Sequence, residues 1–415
     1  MRGYSGWLST SRIRILARAS TAIFFVVYFA LAVHSEYWLG VVTTHPIGDD
    51  FKIYYGAYQK ALTGQNPYEP YGIGSGFIYH PSALTLVSLI AWFGDQRVST
   101  YLWIAISAAA WGVSIWLAIR LAEAAWACEC RISDKPRISR WFVVLVFLGF
   151  APFWETLHIG QVNAFVVLCT LLAIHWSQRR PLAAGLALAL AVVLKTSPLV
   201  LAAYFGAMRR FRLVASAMVG LLVLSWVSSV QFSPQVFNQF WTILPRLGSE
   251  VHPDTYNQSF LSVLYQTFSS LSQGNSDATL VLGYRLAFLG VSTALLAIGL
   301  FVHLKSGQLS IWLYMAVIAA TVFFSPLVWY HHSTLLLLPL SALILNPGRI
   351  GLGVGLGLVF LLQAERAFEQ FETLTAYPIV VVHLVLIGML VTLYLKCNGR
   401  FLHNSGDRSL DSPLT

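Results

Sequence analysis

The chain is patterned in blocks. Apolar residues fill runs at 22–33, 82–93, 101–121, 141–153, 164–176, 182–194, 199–208, 213–230, 280–304, 309–324, 333–345, 350–362 and 379–395. A helix that crosses the hydrocarbon core of a bilayer takes about 20 such residues. The runs predict an all-α polytopic membrane protein with a bundle of about ten to thirteen transmembrane helices. Several runs are too short or too interrupted to be simple spans. Run 82–93 is brief, and 182–208 carries Lys195 and Pro198 in its middle. Non-helical backbone at membrane depth is tolerated only around buried or wet cavities, so these breaks point to a cavity. No strict internal repeat and no matching pair of broken segments in two halves is visible, which counts against a secondary transporter.

Segment 44–81 departs from the pattern. It holds Asp49, Asp50, Lys52, Lys60 and Glu69, the prolines Pro46, Pro67 and Pro70, several tyrosines, and Gly72, Gly74 and Gly76. Arg2, Arg12, Arg14 and Arg18 precede the first run with no acid among them, which puts the N-terminus in the cytoplasm and 44–81 outside. Ala30-Leu31-Ala32 would also suit cleavage of a signal peptide. Apolar and aromatic residues continue through Tyr37, Trp38 and Leu39 to Val42, so an uncleaved first span is preferred. Basic loops lie at 131–140, 179–180, 209–212, Lys305, Arg349 and 396–400. They cannot all be cytoplasmic if every run is a full span, and the topology of 94–160 stays open. Residues 1–397 read as one membrane-embedded domain, and 398–415 as a polar, disordered cytoplasmic tail.

Composition narrows the class further. Of the 415 residues, 57% are hydrophobic and 10% charged, where a soluble domain carries about 25% charged residues. An ordinary soluble enzyme is excluded. Lys and Arg number 26 against 17 Asp and Glu, a net charge of +9. No basic stripe with interleaved aromatics accompanies it, so the charge reads as topology signals and anionic-lipid contacts, not nucleic-acid binding. Cys128, Cys130, Cys169 and Cys397 form no zinc or disulfide framework.

Ionisable residues beside or inside apolar runs are costly and therefore candidates for function. Asp49 and Asp50 are adjacent and cannot share one helical face. One can face a cavity while the other caps a helix over 51–62 or meets water; two solvated loop acids is the plainer alternative. Lys195, followed by Thr196, Ser197 and Pro198, interrupts an apolar stretch. A buried lysine must find an anion or lose its charge, and a phosphate is a suitable partner; a lysine snorkelling from a helix end is the alternative. His331 and His332 follow Ser325, Pro326, Trp329 and Tyr330. Adjacent histidines suit one metal poorly, but at a helix start they could bind a phosphate or a sugar hydroxyl, or sit in an interfacial aromatic belt. Gln161 and Asn163, and Asn257 and Gln258, are amides that could bond a sugar or tie helices together.

Six short motifs then occur in order: Asp50-Phe51-Lys52-Ile53-Tyr54-Tyr55 with Gly64-Gln65-Asn66-Pro67-Tyr68; Tyr79-His80-Pro81; Gly160-Gln161-Val162-Asn163; Leu194-Lys195-Thr196-Ser197-Pro198; Asn257-Gln258-Ser259; and Ser325-Pro326 with Trp329, His331 and His332. The ordered set resembles glycosyltransferase family 87, over about residues 45–340. Two departures are Lys195-Thr196-Ser197-Pro198, where the family more often has Lys-Pro, and His80, where a second proline is common. The resemblance implies a GT-C-type fold and an enzyme using a polyprenyl-phosphate sugar, mannose being the expected sugar, with mannose and arabinofuranose transferases among the relatives. It implies Asp50 as catalytic base, chosen over Asp49 because Asp50 fills the acidic position of the first motif. Lys195, His331, His332, Tyr54, Gln161, Asn163, Asn257 and Gln258 are the implied donor-phosphate and substrate residues. No metal and no cofactor is expected; the partners are the lipid-linked sugar, a lipid or glycan acceptor and membrane lipids. The expected location is the plasma (inner) membrane of a prokaryote, with the site on the extracytoplasmic side. A transporter or flippase of lipid-linked sugars, and an envelope glycan ligase or polymerase, are the competing classes.

Overall fold

A computed structural model describes residues 46–72, 76–129, 138–249, 257–269, 310–346, 348–368 and 377–406, with scattered positions between 23 and 30 and between 282 and 304. Every regular element among these residues is helical. The expectations for the N-terminal arginines, for most of runs 22–33 and 280–304, and for 407–415 lie outside the described residues.

The polar segment 44–81 is not simply a loop. It contains α1, Asp49–Leu62, an amphipathic helix outside the apolar runs. Two acids occupy its first turn and Lys60 its last, the arrangement that opposes the helix dipole at each end. Phe51, Tyr54, Ala57 and Ala61 recur at helical spacing and are its buried stripe. Full burial of one large apolar side chain is worth about 1.5–3 kcal/mol, so Phe51 and Tyr54 suffice to dock the helix.

The apolar helices follow. They are α2 (Ser82–Ala91), α3 (Gln96–Ala124), α4 (Arg140–Leu148), α5 (Ala151–Ile159), α6 (Asn163–Trp176), α7 (Pro181–Leu194), α8 (Leu199–Ala207) and α9 (Phe211–Phe232). Next come α10 (Gln235–Ser249), α11 (Phe260–Ser269) and α12 (Ile311–Phe323), a 3-10 helix at Tyr330–Leu336, α13 (Leu337–Ile344), α14 (Arg349–Phe368) and α15 (Tyr377–Gly406). Asp95 starts α3 by accepting the Val98 N–H at 2.9 Å. Because α15 runs to Gly406, part of the expected disordered tail is helical.

Among the described residues, α3 continued into the π-helical turn Ala125–Glu129, and α9, are long and apolar enough to cross a membrane, and α4 with α5 would make a third span bent by 47°. The other apolar runs among the described residues form shorter apolar helices. The bend has a cause. Pro152 cannot continue the ladder of α4, which frees backbone groups at the break. Gln363 of α14 fills them: its Oε1 accepts the Ala151 N–H and its Nε2 donates to the Gly149 carbonyl, each at 2.9 Å. Around the bundle, Met218, Val219, Leu222, Val223, Trp226 and Val230 of α9 are exposed. A contiguous apolar face of this kind belongs against lipid.

Two large cores hold most of the buried apolar side chains among the described residues. The larger packs α3, α4, α6, α12 and α13 around Trp111, Phe147 and Trp312. The smaller lies beneath α1, with Phe51, Tyr54, Phe77, Trp103, Val162, Val193 and Phe240. The chain passes from one core to the other at 160–164 and at the end of α7.

Candidate active site

That junction holds the candidate site. Gly160 caps α5 with φ of 74°, a left-handed backbone that suits glycine. A Cβ there would lie 2.9 Å from the Phe51 Cβ. Gly48, also left-handed, precedes α1 and donates its N–H to the His158 carbonyl at 2.7 Å. The start of α1 is thereby held against the turn after α5. Gly48 is the N-cap, so neither aspartate is; both fall in the first turn.

Asp50 meets Gln161, whose Nε2 donates to Asp50 Oδ2. Gln161 Oε1 accepts from the Tyr54 hydroxyl at 3.0 Å and from the Tyr79 hydroxyl at 3.3 Å, and the two hydroxyls lie 3.0 Å apart. An amide whose oxygen faces two phenols must turn its nitrogen to the carboxylate. Burial pushes both phenols above their ordinary range, with the charge of Asp50 adding to the effect, so both remain hydroxyl donors at neutral pH. Sequence reasoning placed Asp50, Tyr54 and Gln161 in the site; the fold adds Tyr79.

Two residues beyond Gln161, Asn163 serves a second cluster. Its Oδ1 accepts from Lys195 Nζ at 3.1 Å, and its Nδ2 donates to the His331 carbonyl at 3.1 Å. Lys195 leaves α7 in an extended conformation, and Pro198 starts α8, so the lysine side chain emerges at a helix break. No carboxylate pairs with it among the described residues. The His331 ring faces Glu155 Oε1 at 3.3 Å, and both side chains are buried. Glu155 was missed by sequence reasoning; a lone acid inside an apolar helix was the available signal.

A cavity of about 450 Å³ opens at Lys195, with Tyr79, His80, Trp329 and His332 also on its wall. Leu199, Val200, Leu247, Phe324 and Leu327 supply apolar lining. His332 Nδ1 lies 3.1 Å from the Leu327 carbonyl and 3.3 Å from the Trp329 N–H. His331 and His332 part company: His332 lines the cavity and His331 does not. Both lie in the 3-10 helix, not at the start of an α-helix. Asp50 does not line this cavity either and reaches it through Gln161 and Tyr79.

Asn257 and Gln258 secure the wall. Asn257 Nδ2 donates to the Pro326 carbonyl, and its Oδ1 accepts from the Val328 and Ser259 N–H groups, each at 3.1 Å. The Gln258 N–H bonds the Val328 carbonyl at 2.7 Å. The Asn257 amide therefore holds the turn that carries Trp329. Gln258 Oε1 is buried with no hydrogen-bond partner among the described residues.

Fold and site define an all-α, membrane-embedded protein whose largely apolar cavity, with Lys195, His80 and His332 on its wall, is built at broken helices. Residues 77–329, more than half of the chain, match the model of glycosyltransferase family 87, and the chain belongs to that family. It is a glycosyltransferase. A search against curated proteins gave no match. The family match includes Tyr79, Gln161, Asn163, Lys195, Asn257 and Gln258. It begins after Asp50 and Tyr54 and ends before His331 and His332, so these four join the site through the contacts described.

Proposed function

We propose that the protein is an inverting transferase that moves a sugar, mannose in the first instance, from a polyprenyl phosphate to a lipid or glycan acceptor on the extracytoplasmic face of the inner membrane. Lys195 carries the proposal. It is a cation on the wall of a largely apolar cavity, and no acid pairs with it among the described residues. Such a charge calls for an anion. A phosphate between a lipid tail and a sugar meets that need, with the tail along Leu199, Val200 and Phe324.

The leaving group is already a phosphate, so the reaction calls for a base more than for an acid. Asp50 takes the proton from the acceptor hydroxyl as its oxygen attacks the anomeric carbon. The bond from that carbon to the phosphate oxygen breaks in the same in-line displacement, which inverts the centre. Lys195 and His332 stabilise the departing phosphate. Gln161 holds Asp50 in place, and neither a metal nor a cofactor enters these steps.

Purified protein in nanodiscs, given radiolabelled mannosyl-phosphopolyprenol and an envelope lipid extract, should form a new labelled glycolipid. A flippase would instead carry label across a vesicle without making a glycosidic bond. Absence of any labelled product across mannosyl, glucosyl and arabinofuranosyl donors would refute the transfer reaction.

A further inference from the structure

His80 stands on the cavity wall, and the reaction just described does not use it. Its Nδ1 accepts the Ser82 N–H at 3.2 Å, satisfying one of the unpaired donors at the start of α2. A ring nitrogen that accepts carries no proton, so in the neutral imidazole the proton sits on Nε2. Phe237 and Phe240 of α10 meet the ring nearly edge-on, at centroid distances of 5.7 and 5.4 Å, and hold its plane. Among the described residues, none bonds Nε2. Burial pushes the ring down to about 4, so it stays neutral through the physiological range and is a fixed donor, not a proton shuttle.

We infer that His80 Nε2 donates a hydrogen bond to a hydroxyl of the donor's sugar and so helps select that sugar. The inference rests on the proposal that Lys195 binds the donor phosphate. With the phosphate at Lys195, the sugar joined to it must occupy the same cavity, and His80 is a neutral, directionally fixed donor there. Lys195 recognises charge and cannot tell one sugar from another; a fixed N–H can.

Donor binding without any acceptor isolates this contact. Affinities of nanodisc-embedded protein would be measured for bare polyprenyl phosphate and for its mannosyl, glucosyl and arabinofuranosyl forms. Wild type should bind one glycosylated lipid more tightly than the bare lipid. An asparagine amide can replace Nδ1 as the cap of α2 but does not reach the position of Nε2; a glutamine amide does reach it. His80→Asn should lose about three- to tenfold in affinity for the preferred glycosylated lipid and nothing for the bare one. His80→Gln should recover part of the loss. Lys195→Met should weaken both lipids. If His80→Asn changes neither affinity or changes both equally, or if wild type binds all four lipids alike, the sugar contact is wrong. A contact to an acceptor hydroxyl would also leave donor binding unchanged and would overturn it. If wild type binds none of the lipids, the donor proposal itself fails.

Discussion

Asp50→Asn is the sharpest test of the proposed chemistry, because the surroundings of Asp50 separate structure from reaction. The Gln161 amide is oriented by Tyr54 and Tyr79, not by Asp50 alone. An asparagine can therefore turn its Oδ1 to Gln161 Nε2 and remain in place. Removing a charge from the first turn of α1 costs about 0.3–1 kcal/mol of helix stabilisation, which Phe51 and Tyr54 outweigh by their burial. The variant should fold and bind donor. What it loses is a base, worth typically 10²- to 10⁴-fold in rate, or about 2.7–5.5 kcal/mol of barrier. Initial rates at saturating donor and acceptor, set beside donor affinity, should show turnover reduced by that factor with affinity unchanged. Asp49→Asn, one residue away in the same turn, should keep most activity. Reversed results would move the base to Asp49. Retention of activity in both variants would refute carboxylate base catalysis here.

Four further outcomes are expected. Lys195→Met should weaken binding of polyprenyl phosphate by roughly 10- to 150-fold, the loss of one charge-assisted bond, as read by titration in nanodiscs; unchanged affinity would mean the lysine does not hold the phosphate. His332→Ala should lower turnover while the fold persists, and activity should survive a chelator; full turnover in the variant would leave His332 a bystander at the interface. Gly160→Ala should destabilise the protein by about 1–2 kcal/mol from left-handed strain alone, with more from the approach to Phe51, seen as a lower Tm in detergent; an unchanged Tm would show that the turn relaxes freely. Cysteines placed at Ser9 and Ser405 should both escape an impermeant thiol reagent in intact cells, because the flanking arginines and lysine favour the cytoplasm; labelling of either would reverse that end.

The sequence alone determined that this chain is helical and lies in a membrane, since 57% hydrophobic and 10% charged residues allow little else. It also marked a cavity, through the break at Lys195 and Pro198, and the polar residues worth following, because charge in an apolar run is costly wherever the chain goes. Only the tertiary structure decided which of them meet. Asp50 and Gln161 are far apart in the chain, and what joins them is the docking of α1 on a left-handed glycine turn. Two adjacent histidines look equivalent in the sequence, yet one ring lies against Glu155 and the other on the cavity wall. Asn257 and Gln258 read alike as amides, but the backbone at 326–328 takes up the first, while the side-chain oxygen of the second has no hydrogen-bond partner among the described residues. Residue type sets what a side chain can donate, accept or ionise; partner, distance and burial are properties of the packed chain, and those decide its use.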